Sequence, residues 1–513
     1  MTKTTALLSP LPHPLQLRLP DPIVSEAADS SVLAEMAAGE MALAASQDAD
    51  TQGWDTVFAI RLTDVNRTLT KPGVSPSEWS IVVNEGVYFG SGTFGPWEAT
   101  QGGSAAILRM SAPIPQGSVS FDVGSTPQTY ALAGGTVYFQ VYLTYIPQPD
   151  ASPTAGNNNL LVKSSSSVPH VPVVVVDDVD YGPNPNPGVM GDALVKGALQ
   201  SWMGSNIGAF EHIFSTVDLA AKADHGAFQW LMPTYTSYAY LDGPDMDSSF
   251  FGVLTMCEDH DPGTNAPQLS GGSIPAGSRA GFSISQENVL QQMIMPAMVA
   301  SFDKADSTYF SMSNLNTEII ATKNVPLDSV KYGAIDYHPE IQTLDVSIEA
   351  GTLQLHTIVH VNISPGIDAY VETTSYKTIG LAPQSSGGNT LTFTDVKPPV
   401  THNWTDVATG IIVTEAVVAI IGAVAGIVIG VLGASARFII AAIIVAILFG
   451  VAALVPTLIE KFTGQGVIDD LPPVNDMIAS PTAAIKWPAA GVFNVTAAGL
   501  NGALVLGGDP NFS

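Results

Sequence analysis

Two consecutive runs without a charged residue, 416–436 and 438–459, separated only by Arg437, constrain this chain more than any other feature. Each is long enough to cross a bilayer of about 30 Å as a helix rising about 1.5 Å per residue. The first run places Gly422, Gly426 and Gly430 four apart, a small-residue face that permits close helix contact in lipid. GASAR at 433–437 turns the chain, and Phe438 opens the second run. The expectation is an apolar helical hairpin within 407–462. Three placements remain open for it: inserted in a bilayer, buried in or covering a groove of the fold, or forming an oligomer interface. Because periodicity is silent in an all-apolar segment, strand is a fourth reading. A helix apolar all round needs neighbours on every side, which favours the bilayer.

The remainder of the 513 residues is long enough for two or three domains. Asp and Glu number 46 against 18 Lys and Arg, a formal charge of -28, which repels a phosphate backbone and argues against nucleic acid as a partner. The same charge opposes adsorption to an anionic bilayer, so lipid contact has to be mainly hydrophobic. Cys257 is the only cysteine, which excludes an intrachain disulfide or a thiolate metal cluster. Prolines interrupt the first 24 residues where a Sec signal needs an unbroken apolar core of about 7 to 15 residues. The expected location is therefore at a membrane, or outside the cell by a route other than Sec.

Residues 1–50 read as a leader with a helix in SSVLAEMAAGEMALAAS. From 51 to 187 short alternating runs such as WSIVVN, AAILRM and TVYFQVYLTYI, broken by Gly, Pro and Asn, read as antiparallel strands. YGPNPNP marks a linker, after which VMGDALVKGALQSWM and GAFEHIFSTVDL have helical spacing. A second strand-rich block runs from about 306 to 396, including EIQTLDVSIEA, TLQLHTIVHVNIS and DAYVETTSYKTI, and strands return within 463–513.

Several motifs fail their context tests. GSGTFG satisfies the dinucleotide pattern with Gly90, Gly92 and Gly95, yet Pro96 and Trp97 follow instead of a helix, so a glycine turn is expected. His356 and His360 in HTIVH have zinc-helix spacing, but the surroundings read as strand, where four residues advance about 13 Å. CEDHDPGTN and VVVVDDVDYG read as solvated acidic turns, since neither carries the calcium-loop ligand pattern. No hydrolase elbow, phosphate loop or HExxH occurs, so neither an enzyme nor a cofactor or metal site is expected, and a triad scattered in sequence has no motif to support it.

Three stretches carry more. In TQGWDTVFAIRLTDVN, Trp54, Phe58, Ile60 and Leu62 fall on one strand face, and Thr63 or Asp64 then caps a helix carrying Val65 and Leu69. In FSISQENVLQQMIMPAMVASF, Ser285 caps a helix kinked by Pro296, whose apolar face carries Val289, Leu290, Met293 and Ile294 with Met298 beside it. Such a face is core or, through flexible Met, a site for variable apolar ligands. The chain finishes on a Trp-Pro entry at Trp487 and a Gly-rich strand.

In this order the three stretches resemble the P-forty-seven (P47) family, accessory proteins of clostridial neurotoxin gene clusters related to the OrfX proteins and placed in the tubular lipid-binding (TULIP) superfamily. The resemblance rests on Trp54, Asp55 and Asn66 in the opening motif, Pro296 in the second and Trp487 in the third. It implies an α+β fold of two TULIP-like modules, each a curved antiparallel sheet wrapped on a long helix. The modules correspond to 51–187 and 188–400, with helix 285–303 lining a lipid groove through Val289, Leu290, Met293, Ile294 and Met298. Added to the apolar hairpin, it implies a non-enzymatic lipid-binding, membrane-interacting protein. The rival reading is a toxin-complex assembly protein whose hairpin meets a large protein toxin.

Overall fold

The computed structural model describes residues 48–83, 88–122, 127–147, 157–162, 173–206, 216–218, 230, 233–302, 304–313, 315–332, 334–383, 389–408, 485–486 and 490–512, all within the compact unit Leu43–Ser513. The helix expected before residue 47, the apolar runs with Gly422, Gly426, Gly430, Arg437 and Phe438, and Trp487 lie outside the described residues.

Two sheets, one central and one of long strands, position the candidate site. In chain order their strands are β1 (Thr56–Arg61), β2 (Pro233–Leu241), β3 (Phe250–Cys257), β4 (Ala280–Ile284), β5 (Phe310–Met312), β6 (Glu318–Ala321), β7 (Glu340–Glu349), β8 (Thr352–Ser364), β9 (Ile367–Pro383), β10 (Asn389–Val407), β11 (Ala490–Leu500) and β12 (Leu504–Phe512). The central sheet runs β2-β3-β1-β4-β12-β11. It therefore joins strands from residues 56–61, from 233–284 and from 490–512, with β12 paired to β4 and β11 paired to β12. The long-strand sheet runs β5-β6-β7-β8-β9-β10, with Val325–Pro326 beside β7.

The strand-rich N-terminal half supplies two further sheets. One is four-stranded, Glu78–Val83, Tyr88–Thr93, Gln116–Asp122 and Pro127–Ala131; the other includes Glu98–Ser104, Ile107–Ile114, Gly135–Pro147 and Val174–Asp180. Their pairings are antiparallel, as the short alternating runs led one to expect. Among the described residues the helices longer than one turn are α1 (Leu62–Leu69), α2 (Gly188–Ser205) and α3, continuous from Gln286 to Ser301. Among the described residues no helix is long and apolar enough to cross a membrane.

Local chemistry explains three departures from expectation. Thr216–Asp218, at the end of the second expected helix, pairs as a strand with Asn157–Asn159, a position suited to β-branched Thr216 and Val217. Gly90 and Gly92 lie in a strand, not a turn: a Cβ on Gly92 would stand 2.8 Å from Cε2 of Trp79, so glycine is what lets the indole lie against the sheet. Trp54 leaves the face of Phe58 and Ile60 and joins Val57, Ala59, Leu254 and Leu269 in a second core cluster. The strand begins only at Thr56, so alternation does not extend back through Asp55.

Candidate functional site

Trp54 and Asp55 of the opening motif meet at one junction. Asp55, just before β1, is buried and accepts from the Cys257 backbone N–H at 2.7 Å, from Asn288 Nδ2 at 2.9 Å and from His260 Nδ1 at 2.9 Å. Its own carbonyl receives the Ser285 N–H at 2.9 Å, and Trp54 Nε1 donates to the Ala266 carbonyl at 3.0 Å. One carboxylate thus ties the entry of β1 to the end of β3 and to the first turn of α3. A carboxylate can be this buried because several donors answer it. Asn66 does comparable work further on, its amide exchanging two hydrogen bonds with the backbone of Ala99 at 2.7 and 2.9 Å.

Asp64 does not cap α1. The helix starts at Leu62 with no side-chain cap, and Asp64 is fully buried, meeting Arg279 through both guanidinium arms, Nε to Oδ2 at 3.0 Å, with Arg67 at 3.5 Å. A buried acid finds a better partner in an arginine fork than in the exposed backbone of its own helix. Of the two expected acidic turns, the one at Asp177, Asp178 and Asp180 is instead part of the strand Val174–Asp180. Asp177 pairs with Arg109 at 2.7 Å, whereas Glu258, Asp259 and Asp261 remain exposed.

The cap of α3 is where the sequence put it: Ser285 Oγ accepts from the Asn288 N–H, with Glu287 in the first turn. Instead of a simple kink, Val289–Ile294 widens into a π-helical segment, and the Met295 N–H reaches back to the Leu290 carbonyl. Pro296 has no N–H to offer and its ring crowds the preceding turn, which the wider winding relieves. Val289, Leu290, Met293 and Ile294 are 0 % exposed and Met298 2 %, all within the main core. The five groove candidates are brought together on one helix but open onto no surface. An open depression of about 810 Å³ lies elsewhere, lined by Trp79, Ser91, Gly92, Gln116 and Trp202 among others.

Chemistry that would mark a catalyst is weak here. Burial, aided by Asp55, pushes the Cys257 thiol up to about 12, which keeps it protonated and unreactive at neutral pH. His356 and His360 both lie on β8, as strand spacing demanded. Among the described residues no cluster of three or more His, Cys, Asp or Glu is arranged to hold a metal ion.

Known proteins share both the sequence pattern and the fold. The sequence profile described as OrfX-like, protein OrfX2/OrfX3/P47, matches residues 51–508. The chain belongs to this family. It is 26 % identical over 491 residues to Protein OrfX3 of Paraclostridium bifermentans, covering 90 % of this chain and 98 % of that protein. It is 20 % identical over 313 residues to Protein P47 of Clostridium botulinum (strain Kyoto / Type A2), covering 59 % and 70 % respectively. The solved structure of P47 from Clostridium botulinum A2 shares the fold with a TM-score of 0.64 at 16 % identity, over 90 % of this chain and 98 % of that one.

Proposed function

We propose that this protein is a non-enzymatic, membrane-interacting accessory protein that meets lipid through residues 415–462. The observation that carries the reading is the pair of uncharged runs, 416–436 and 438–459, each of bilayer-spanning length. The burial of Val289, Leu290, Met293, Ile294 and Met298 supports placing first lipid contact there rather than on α3. On this reading 51–187 and 188–400 are TULIP-type modules, with α3 as the inner helix of the second.

The test is flotation of the intact protein with phosphatidylcholine vesicles beside a form lacking 415–462, with mass spectrometry of co-purified lipid. The intact protein floats and the deletion stays below. Equal behaviour of the two, floating or not, overturns the reading.

The net charge of -28 favours one alternative, since it opposes approach to an anionic bilayer. In it the same stretch is an interface with a large protein toxin. A toxin partner that protects 415–462 from protease without lipid present would establish that alternative.

A further inference from the structure

The solvent-facing side of β7–β10 carries an alternation of acids and histidines that neither the family resemblance nor the proposed function uses. Cross-strand register sets Glu340 opposite His360, Asp345 opposite His356, and Glu372 opposite His402. The alternate residues, including Leu344, Val346, Leu355, Val359, Val361 and Val371, are buried on the other side. Pleating thus gathers every group in the series onto one face.

Each central imidazole is addressed at both nitrogens. His356 Nδ1 lies 3.2 Å from Asp345 and its Nε2 3.0 Å from Glu372. His360 Nε2 lies 2.8 Å from Asp368 and its Nδ1 3.5 Å from Glu340. A neutral imidazole has one N–H and one lone pair, so it can satisfy only one of two carboxylates, and its lone pair faces the other. Imidazolium donates to both. His402 adds a third imidazole 3.9 Å from Glu372, and Asn362 donates to Asp368 at 2.9 Å. Glu318 of β6 faces the same group, its carboxyl pushed up by burial and by Asp345 and Glu349. Tyr370 bridges the rings, 5.2 Å from His360 and stacked on Trp404 at 5.1 Å.

We infer that this face is a pH-operated clasp. With His356 and His360 protonated, β7, β8 and β9 are cross-linked through charge-assisted hydrogen bonds, while His402 of β10, the last strand of this sheet among the described residues, faces Glu372. With both neutral, Glu340, Asp345, Asp368 and Glu372 repel one another and the edge loosens. The same hairpin contains its own reference. Further along, Lys377 of β9 pairs with Asp395 of β10, a link that involves no histidine. Opening is therefore confined to residues 367–374 and 400–407, while the Lys377 end stays closed. Although burial lowers the His356 pKa, its hydrogen bonds to Glu372 and Asp345 outweigh that and raise it, which agrees with the geometry.

The test is hydrogen–deuterium exchange with mass spectrometry on the intact chain at about pH 5.5 and about pH 8.5, either side of the ordinary histidine value and corrected for intrinsic rates. Expected are amides of 367–374 and 400–407 that exchange at least about tenfold faster at the higher pH, while β1 and 376–383 are unchanged. In His356→Gln/His360→Gln the amides of 367–374 exchange as fast at the lower pH as wild type does at the higher. Unchanged protection in wild type, loosening of β1 in step with β10, or a double variant that keeps the wild-type pH dependence overturns the inference. The wild-type comparison alone decides it if the double variant does not fold.

Discussion

The junction around Asp55 and Asp64 and the face of β7–β10 both hold carboxylates against strands, and they do so by opposite means. At the junction the acids are buried and their main partners carry a proton at any physiological pH: the Arg279 fork, the Cys257 N–H and the Asn288 amide. On the outer face the acids are half-exposed, and their partners are histidines, the residue type whose charge depends on pH. Deep burial demands a donor that is always present, whereas partial hydration tolerates one that comes and goes. In this chain the first arrangement fastens the fold and the second leaves it adjustable.

The largest effect that could break this contrast lies at Asp64. Replacing it by Ala leaves Arg279 without its buried partner and should cost about 3–5 kcal/mol in urea unfolding. A loss below about 1 kcal/mol would mean the pair is no fastener. Asp55→Ala strands the Cys257 N–H and the Asn288 amide and should cost about 3 kcal/mol, with early protease cutting in 258–266 as its local sign. Met293→Ala opens a cavity in the core and should cost about 2–4 kcal/mol without changing vesicle flotation; a groove residue would show the reverse pattern.

The smallest effect belongs to the outer face and depends on pH. A raised folded-state pKa means that His356 adds stability that is complete below about pH 6.5 and is lost as pH rises through the raised value. Asp368, whose pKa is lowered first by the His360 hydrogen bond and then by Asn362, adds stability that is lost as pH falls through its lowered value. The stability difference between wild type and His356→Gln should therefore stay under about 1 kcal/mol near pH 6 and vanish on the alkaline side. A difference that grew with pH would contradict the assignment.

Much of this was legible in the residues. Ser285 announced the start of α3, alternation announced β7, β8 and β9, and the spacing in HTIVH was correctly a strand spacing. The fastening contacts were not legible, because they join residues far apart in sequence: 215 positions separate Arg279 from Asp64 and 202 separate Cys257 from Asp55. Nor was the order of the acids and histidines on the outer face, since the bulge between Ile341 and Thr343 shifts which residue of β7 meets which of β8. The glycines of the Tyr88–Thr93 strand gave no alternation to read, and their reason, Trp79, sits on a neighbouring strand. The groove candidates came from the apolar face of one helix and from the family resemblance, and such a face has the same spacing whether it is sealed in a core or open.

Sealed or open bears directly on function, because α3 and the stretch 416–459 are rival places for lipid contact. The most direct measurement is photocrosslinking of the intact protein to phosphatidylcholine vesicles carrying a diazirine in the acyl chain, with the adducts mapped by peptide mass spectrometry. Adducts concentrated in 416–459 and absent from 286–301 are the expected result. Adducts on Met293 or Met298, or none above the level of a vesicle-free control, would contradict it.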